Sequence, residues 1–165
     1  MNGAAPSGAA RGARATAARL AAVQALYQIA MGAATADQAL AGATRDGAGA
    51  ALDENQQLVA DPFVMTDIVR GTVEREATID AMIAASLGAK WRPERIELIL
   101  RAILRAGVFE LLARPKVPAR VVINEYVDIA HAFFEATEAG LVNAVLDRLA
   151  KTLRSAEFAT DAPSP

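Results

Sequence analysis

The sequence predicts an all-α fold. Apolar residues recur every three to four positions along seven segments, which is the period of an amphipathic helix. No segment alternates apolar and polar residues as a half-buried strand does. The 165-residue length suits one domain or two small subdomains, and a composition of 53% hydrophobic and 22% charged residues is typical of a chain that buries a core.

The N-terminal part predicts an arm, a long helix and a short helix. Residues 1–13 are rich in Gly, Ala, Ser and Pro without apolar periodicity, so we expect them to be a disordered arm. The apolar spacing predicts a first helix from about Thr16, with Gly32 placed to end it. We expect a short helix near 35–41, inside a segment that is otherwise a loose loop up to residue 60.

The middle of the chain predicts three helical stretches. Asp61 and Pro62 form a good helix start, because the aspartate accepts hydrogen bonds from free N–H groups and proline needs no partner in the first turn. A second stretch runs to Gly88. We expect Arg92 and Pro93 to open the longest helix, whose apolar stripe makes it the centre of the core.

The C-terminal part predicts two more helices. Pro115 and Pro118 bracket a short connection. The next helix has an apolar stripe that we expect to be buried, made of Val122, Tyr126, Ile129 and Phe133. Thr137 is placed to cap the last helix, and residues 156–165 are expected to be a flexible tail.

Charge and residue inventory exclude several classes of protein. The net charge is −2, yet residues 1–36 carry three arginines and no acid, whereas residues 37–90 carry nine acids and four bases. No apolar run suits a membrane span and the leader lacks a secretory core, so we expect a cytoplasmic protein with no membrane partner. The absence of cysteine excludes disulfides and thiolate metal sites, and His131 alone is expected to be a surface residue.

Catalytic motifs are missing, so the sequence predicts a protein that is not an enzyme. It has no P-loop, dinucleotide-binding fingerprint, HExxH or nucleophile elbow. Glu125 and Asp128 share a helix face, but with no histidine or second carboxylate motif beside them a solvated or salt-bridged face is favoured. We therefore expect no cofactor, no metal and no small-molecule substrate.

Two groups of polar residues have alternative interpretations. Arg101 and Arg105 lie one turn apart, which costs a helix a few tenths of a kcal/mol. Either Glu97 pairs with Arg101, or an external anion such as an RNA phosphate binds both arginines.

Asn124, Glu125 and Asn143 lie within strongly apolar helices. Because buried polar groups need hydrogen bonds, we expect contacts between helices, for example between Glu125 and Arg105. Contact with a binding partner is the alternative.

Four sequence blocks resemble the bacterial transcription antitermination factor NusB family. They are ARLAAVQALYQ at 18–28, ILRAGVFELL at 103–112, VPARVVINEYVDIA at 117–130 and LVNAVLDRLAK at 141–151. They occur in the family's order and cover more than a quarter of the chain. The resemblance implies about seven helices in two packed subdomains, spanning 14–155 with a junction near 88–92, and no catalytic activity.

The resemblance also implies the partners. Members of the family bind boxA RNA together with ribosomal protein NusE, and the pair joins the RNA polymerase elongation complex to suppress termination during ribosomal RNA synthesis. The same domain precedes a methyltransferase module in a family of rRNA cytosine methyltransferases. This sequence has no glycine-rich cofactor module, so we expect the stand-alone factor. A helical adaptor that binds only proteins is the alternative.

Positions that match the family imply a set of binding residues. For RNA they are Arg11, Arg14, Arg19, Gln24, Tyr27 and Arg101, and for a protein partner they are Tyr27, Glu94 and Glu97. The family's arginine cluster is thinned here, and its lysine-containing approach to the last helix is replaced by TEAGL. Because each lost phosphate contact weakens binding, we expect modest RNA affinity alone and greater dependence on the partner.

Overall fold

The computed structural model describes residues 7–45, 60–88, 92 and 96–159. Within these ranges the chain forms eight helices and no strand, so the all-α prediction is confirmed. The chain divides into two compact units, 1–70 and 71–165, whereas the sequence placed the junction near 88–92. The helices are α1 (Gly8–Ala30), α2 (Ala36–Arg45), α3 (Pro62–Glu74), α4 (Glu76–Ser86), α5 (Leu98–Ala113), α6 (Ala119–Phe133), α7 (Ala136–Leu153) and α8 (Ser155–Phe158).

Helix α1 begins earlier than the sequence predicts. The side chain of Ser7 accepts a hydrogen bond from the backbone N–H of Ala10 at 3.2 Å and so caps the helix at Gly8. Alanine has the highest helix propensity, and the alanines that follow extend the helix through a segment where we expected a disordered arm. That expectation was wrong for residues 8–13, and residues 1–6 lie outside the described residues.

The end of α1 is set by one glycine, as predicted. Gly32 has a φ of +74°, in the left-handed region that favours glycine. Its N–H donates to the carbonyl of Ile29, and the N–H of Ala33 donates to that of Gln28, both at 3.0 Å. This pair of bonds is a Schellman motif, which satisfies the last free carbonyls of the helix.

Helices α2 and α3 also begin at local capping signals. Thr35 and Gln38 cap α2 reciprocally, each side chain accepting a hydrogen bond from the backbone N–H of the other at 3.0 and 3.2 Å. This helix continues to Arg45, beyond the predicted end at 41, and residues 46–59 are not described. At α3, the carboxylate of Asp61 accepts from the N–H of Phe63 at 2.9 Å, which confirms the predicted start.

In unit 2, helices α5, α6 and α7 pack on one another and form the core. Helix α5 begins at Leu98, whereas we expected it to open at Arg92 and Pro93. It has 16 residues and is not the longest described helix, since α1 has 23. Most of the buried residues of α5 are apolar and, as predicted, form its stripe. They include Leu100, Ile103, Leu104, Val108 and Leu111.

The core of unit 2 contains a polar pair. Glu110 of α5 is completely buried, and the hydroxyl of Tyr126 on α6 donates to its carboxylate at 2.6 Å. The guanidinium of Arg114 lies 3.4 Å from the same carboxylate. The pair fixes α6 on α5, because a buried carboxylate is costly unless it is hydrogen-bonded.

Three predictions at the C-terminal helices were wrong. Phe133 is 44% exposed, because α6 ends at this residue and the stripe continues past the packed part of the helix. Thr137 lies inside α7, which Glu135 precedes without a side-chain capping bond. The predicted tail begins within the short helix α8, and residues 160–165 are not described.

Candidate nucleic-acid interface

The N-terminal turns of α1 carry two of the predicted RNA-binding residues. Arg11 is exposed and Arg14 is half-buried, and their spacing of three places both on one side of the helix. The first turn of α1 contains no acidic residue. This end of the helix therefore combines two cationic side chains with the positive end of the helix dipole.

A different face of α1 carries Gln24 and Tyr27. Gln24 is exposed and Tyr27 is half-buried, and with half-buried Leu20 and exposed Met31 they form one stripe at helical spacing. At 3.6 residues per turn, this stripe lies on the side of α1 away from Arg11. The RNA-binding residues predicted on α1 therefore do not form a single surface.

Arg19 does not lie on the surface. It is only 4% exposed, although the sequence analysis placed it among the RNA contacts. A guanidinium at that depth cannot reach a phosphate in solvent without a change in structure. Helical periodicity could not reveal that Arg19 is buried. Its neighbours in sequence are small alanines, so other residues can pack closely against this side of the helix.

Carboxylates of unit 2 balance the positive charge of Arg105. This excludes the alternative that one external anion binds both Arg101 and Arg105. Its guanidinium donates two hydrogen bonds of 2.7 Å to the carboxylate of Asp80 and lies 3.1 Å from Glu76. Burial opposes the charged form, but these carboxylates outweigh it and raise the pKa of Arg105 above its usual value. Arg105 therefore needs no external anion. The expected pairing of Arg105 with Glu125 was wrong, because Arg105 pairs with Asp80 and Glu76 instead.

The other predicted binding residues near the start of α5 differ in how exposed they are. Arg101 is half-buried on α5. Glu97 is exposed at the N-cap of α5, where its carbonyl accepts a hydrogen bond from the N–H of Arg101 at 2.9 Å. Glu94 lies outside the described residues.

Unit 2 has a polar cleft that the sequence analysis did not single out. Asn124 of α6 and Asn143 of α7 are exposed and line this cleft. They do not form, with any residue that the structure describes, the hydrogen bonds between helices that we expected. A signal was present in the spacing of 120 and 124 on α6 and of 143, 147 and 151 on α7, since polar residues four apart share a helix face.

Other classes of site are absent from the described part of the chain. No cluster of three or more His, Asp or Glu side chains there could hold a metal ion. His131 is exposed, as expected. Of the helices described, none has both the length and the apolar character to span a membrane.

Comparison with known proteins identifies relatives over most of the chain. The model of the NusB family matches residues 16–151. A protein of Nitrobacter hamburgensis named transcription antitermination protein NusB is 48% identical over 143 residues, which cover 87% of this chain and 89% of that protein. A protein of the same name from Rhodopseudomonas palustris is 46% identical. The match covers 93% of this chain and 91% of that protein.

A solved structure shows the same fold. The structure of T. maritima NusB superposes with a TM-score of 0.68 at 28% sequence identity. The match covers 87% of this chain and 96% of the T. maritima chain. The helical architecture and the sequence therefore point to the same group of proteins.

Proposed function

This chain belongs to the NusB family of transcription antitermination factors, which are not enzymes, and on that premise we propose that it binds boxA RNA together with ribosomal protein NusE. The pair joins the RNA polymerase elongation complex and suppresses termination during ribosomal RNA transcription. The observation that carries this proposal is the family match over residues 16–151, with relatives that are named antitermination proteins.

The charge at the start of α1 supports an RNA contact there. Two like charges one turn apart disfavour a helix, and so does positive charge at its N-terminus. Arg11 lies at the end of the first turn of α1, where positive charge is disfavoured, and Arg14 lies one turn after it on the same side of the helix. A bound phosphate relieves both, so these two arginines are the proposed backbone contacts. Arg101 of unit 2 is also a proposed RNA contact, as the resemblance to the family implies.

The exposed stripe of α1 is the proposed contact for a base or for NusE. Gln24 offers an amide that both donates and accepts, and Tyr27 offers an aromatic ring with a polar end. Glu97 at the start of α5, with Glu94 nearby in sequence, is the proposed acidic contact for the protein partner. Arg19 is excluded from this set because it is buried.

A protein-binding adaptor is the second candidate, and the stripe on α1 favours it. Leu20 and Met31 extend the stripe around Gln24 and Tyr27, and all four residues are uncharged. Such a surface suits a protein partner, because protein interfaces are enriched in Tyr and Met and depleted in charge at their centre. In this case the arginines at the start of α1 would be solvated.

Titration of labelled boxA RNA with and without NusE tests the proposal. We expect weak binding by the protein alone and tighter binding when NusE is present, with an RNA of the same length and shuffled sequence binding less well. Tight binding of NusE with no RNA binding by the complex would favour the adaptor. Equal affinity for boxA and shuffled RNA would contradict the proposed RNA specificity.

A further inference from the structure

A polar cleft of about 700 Å³ lies in unit 2 between α6 and α7. Its lining residues come from three helices and are Arg120, Ile123, Asn124, Asn143, Asp147, Lys151 and Phe158. The volume is in the range of ligand sites, which combine an apolar surface with a few convergent polar groups. Here Ile123 and Phe158 supply the apolar part.

The aromatic side of the cleft is held in place by an anchored turn. Arg154, just before α8, donates hydrogen bonds to four backbone carbonyls at the end of α5 and in the loop after it. These carbonyls belong to Glu110, Leu111, Arg114 and Val117, at 2.7 to 3.1 Å. Glu157 of α8 accepts from the N–H of Ala119 at 3.1 Å. These bonds fix α8 against the start of α6, so the position of Phe158 is set before any ligand binds.

Phe158 and Arg120 both line the cleft and contact each other. The guanidinium of Arg120 lies over the Phe158 ring, 6.0 Å from its centre, which is a cation–π arrangement. Nucleobases without a pairing partner stack on aromatic rings and on arginine planes. The stacked pair of Phe158 and Arg120 therefore suits a planar base.

Two amides and a lysine provide the polar groups. Among the described residues, no group hydrogen-bonds the side chain of Asn124 or of Asn143, so both can bond a ligand. The ammonium of Lys151 lies 2.9 Å from Asp147, and both side chains are exposed. Exposed ion pairs are weak, so Lys151 can turn from the Asp147 carboxylate to a phosphate.

We propose that the cleft binds one unpaired adenine nucleotide of an RNA. The base stacks at Phe158 and Arg120, an asparagine amide accepts from the N6 amino group and donates to N7, and Lys151 contacts the phosphate. Asparagine is matched to adenine because its amide presents a donor and an acceptor at the spacing of these two atoms. The inference rests on the proposed function in one respect, namely that the nucleotide belongs to an RNA that the protein also contacts elsewhere.

The test uses a mononucleotide and the full chain, without NusE or boxA RNA. Adenosine monophosphate is titrated into ¹⁵N-labelled protein while the side-chain amide signals of Asn124 and Asn143 are followed by NMR. We expect saturable shifts of these signals, weaker shifts with uridine monophosphate, and none with ribose 5-phosphate. Phe158→Ala should lower the apparent affinity about tenfold, since stacking on an aromatic ring contributes about that factor per base. Thr152→Ala, an exposed position on α7 outside the cleft, should not change it.

Several results would overturn the inference. Equal shifts with ribose 5-phosphate would reduce the cleft to an anion site, and no saturable shift in the wild type would exclude a nucleotide. Unchanged affinity in both Phe158→Ala and Asn143→Ala would place the nucleotide elsewhere. If adenosine monophosphate left the asparagine signals unchanged and a separate titration with NusE shifted them, the cleft would be a protein-binding site. Because boxA RNA is not used, this test can fail while the proposed function stands, and it can succeed while that function fails.

Discussion

Replacing Tyr126 with phenylalanine removes one buried oxygen atom from unit 2 and leaves the ring in place. Its hydroxyl donates to Glu110 at 2.6 Å, and both side chains are fully buried. A hydrogen bond to a charged group contributes about 1.5–3 kcal/mol, and its loss leaves a buried carboxylate with one donor fewer. The charge of Arg114 at 3.4 Å remains and limits the loss. We therefore expect the free energy of unfolding to fall by about 2 kcal/mol.

Urea denaturation followed by far-UV circular dichroism measures this change, and thermal unfolding should show a Tm about 4–8 °C lower. Tyr27→Phe is the matched control, because Tyr27 is the one other tyrosine and is half-buried. It should change the free energy of unfolding by less than about 0.5 kcal/mol. In a Glu110→Gln background the Tyr126→Phe change should cost only about 1 kcal/mol, since that bond is between neutral groups. Equal midpoints for Tyr126→Phe and Tyr27→Phe would refute the reasoning.

Three further substitutions test the packing and charges of unit 2. Gly71→Ala places a methyl group against ring atoms of buried Phe109, closer than van der Waals contact allows, so we expect a loss of about 1–3 kcal/mol by calorimetry, and an unchanged Tm would mean that the ring moves aside freely. Leu104→Ala removes a fully buried side chain and should cost about 2–5 kcal/mol, whereas an unchanged urea midpoint would show that the site is not core. Asp80→Asn weakens the pairing of Arg105 and should cost about 1–2 kcal/mol, between the values for exposed and buried pairs. The pKa of Arg105 is raised, so the stabilisation that its charge provides is lost only at pH above the usual arginine pKa. The Asp80→Asn cost should therefore be the same from neutral to mildly alkaline pH, and a cost that disappears in this range would contradict the ion pair.

Helix boundaries that depend on local chemistry were predictable from the sequence. Asp61 caps α3 and Gly32 ends α1, because each signal acts within three or four residues of its own position. The early start of α1 at Gly8 was missed, since a composition rich in small residues is common to disordered arms and to alanine helices. The core stripe of α5 was predicted because its period is long and regular.

The candidate site was predicted less completely, because its residues depend on contacts distant in sequence. Asp80 neutralises Arg105 from 25 residues away, and no spacing rule indicates that pairing. The burial of Arg19 likewise depends on what packs against α1. Asn124 and Asn143 were recognised as unusual, but their shared cleft becomes visible only when α6 lies beside α7.

The salt dependence of boxA RNA binding, measured with NusE present, tests the RNA-binding account most directly. The comparison is between the wild type and the double variant Arg11→Gln/Arg14→Gln, with Lys116→Gln as a control for the loss of an exposed positive charge. Each phosphate contact with a single strand contributes about 0.7 to the slope of log affinity against log salt, so losing two should reduce the slope by about 1.4. We expect this reduction in the double variant and a wild-type slope in the control. The same slope and the same affinity in all three proteins would contradict the account.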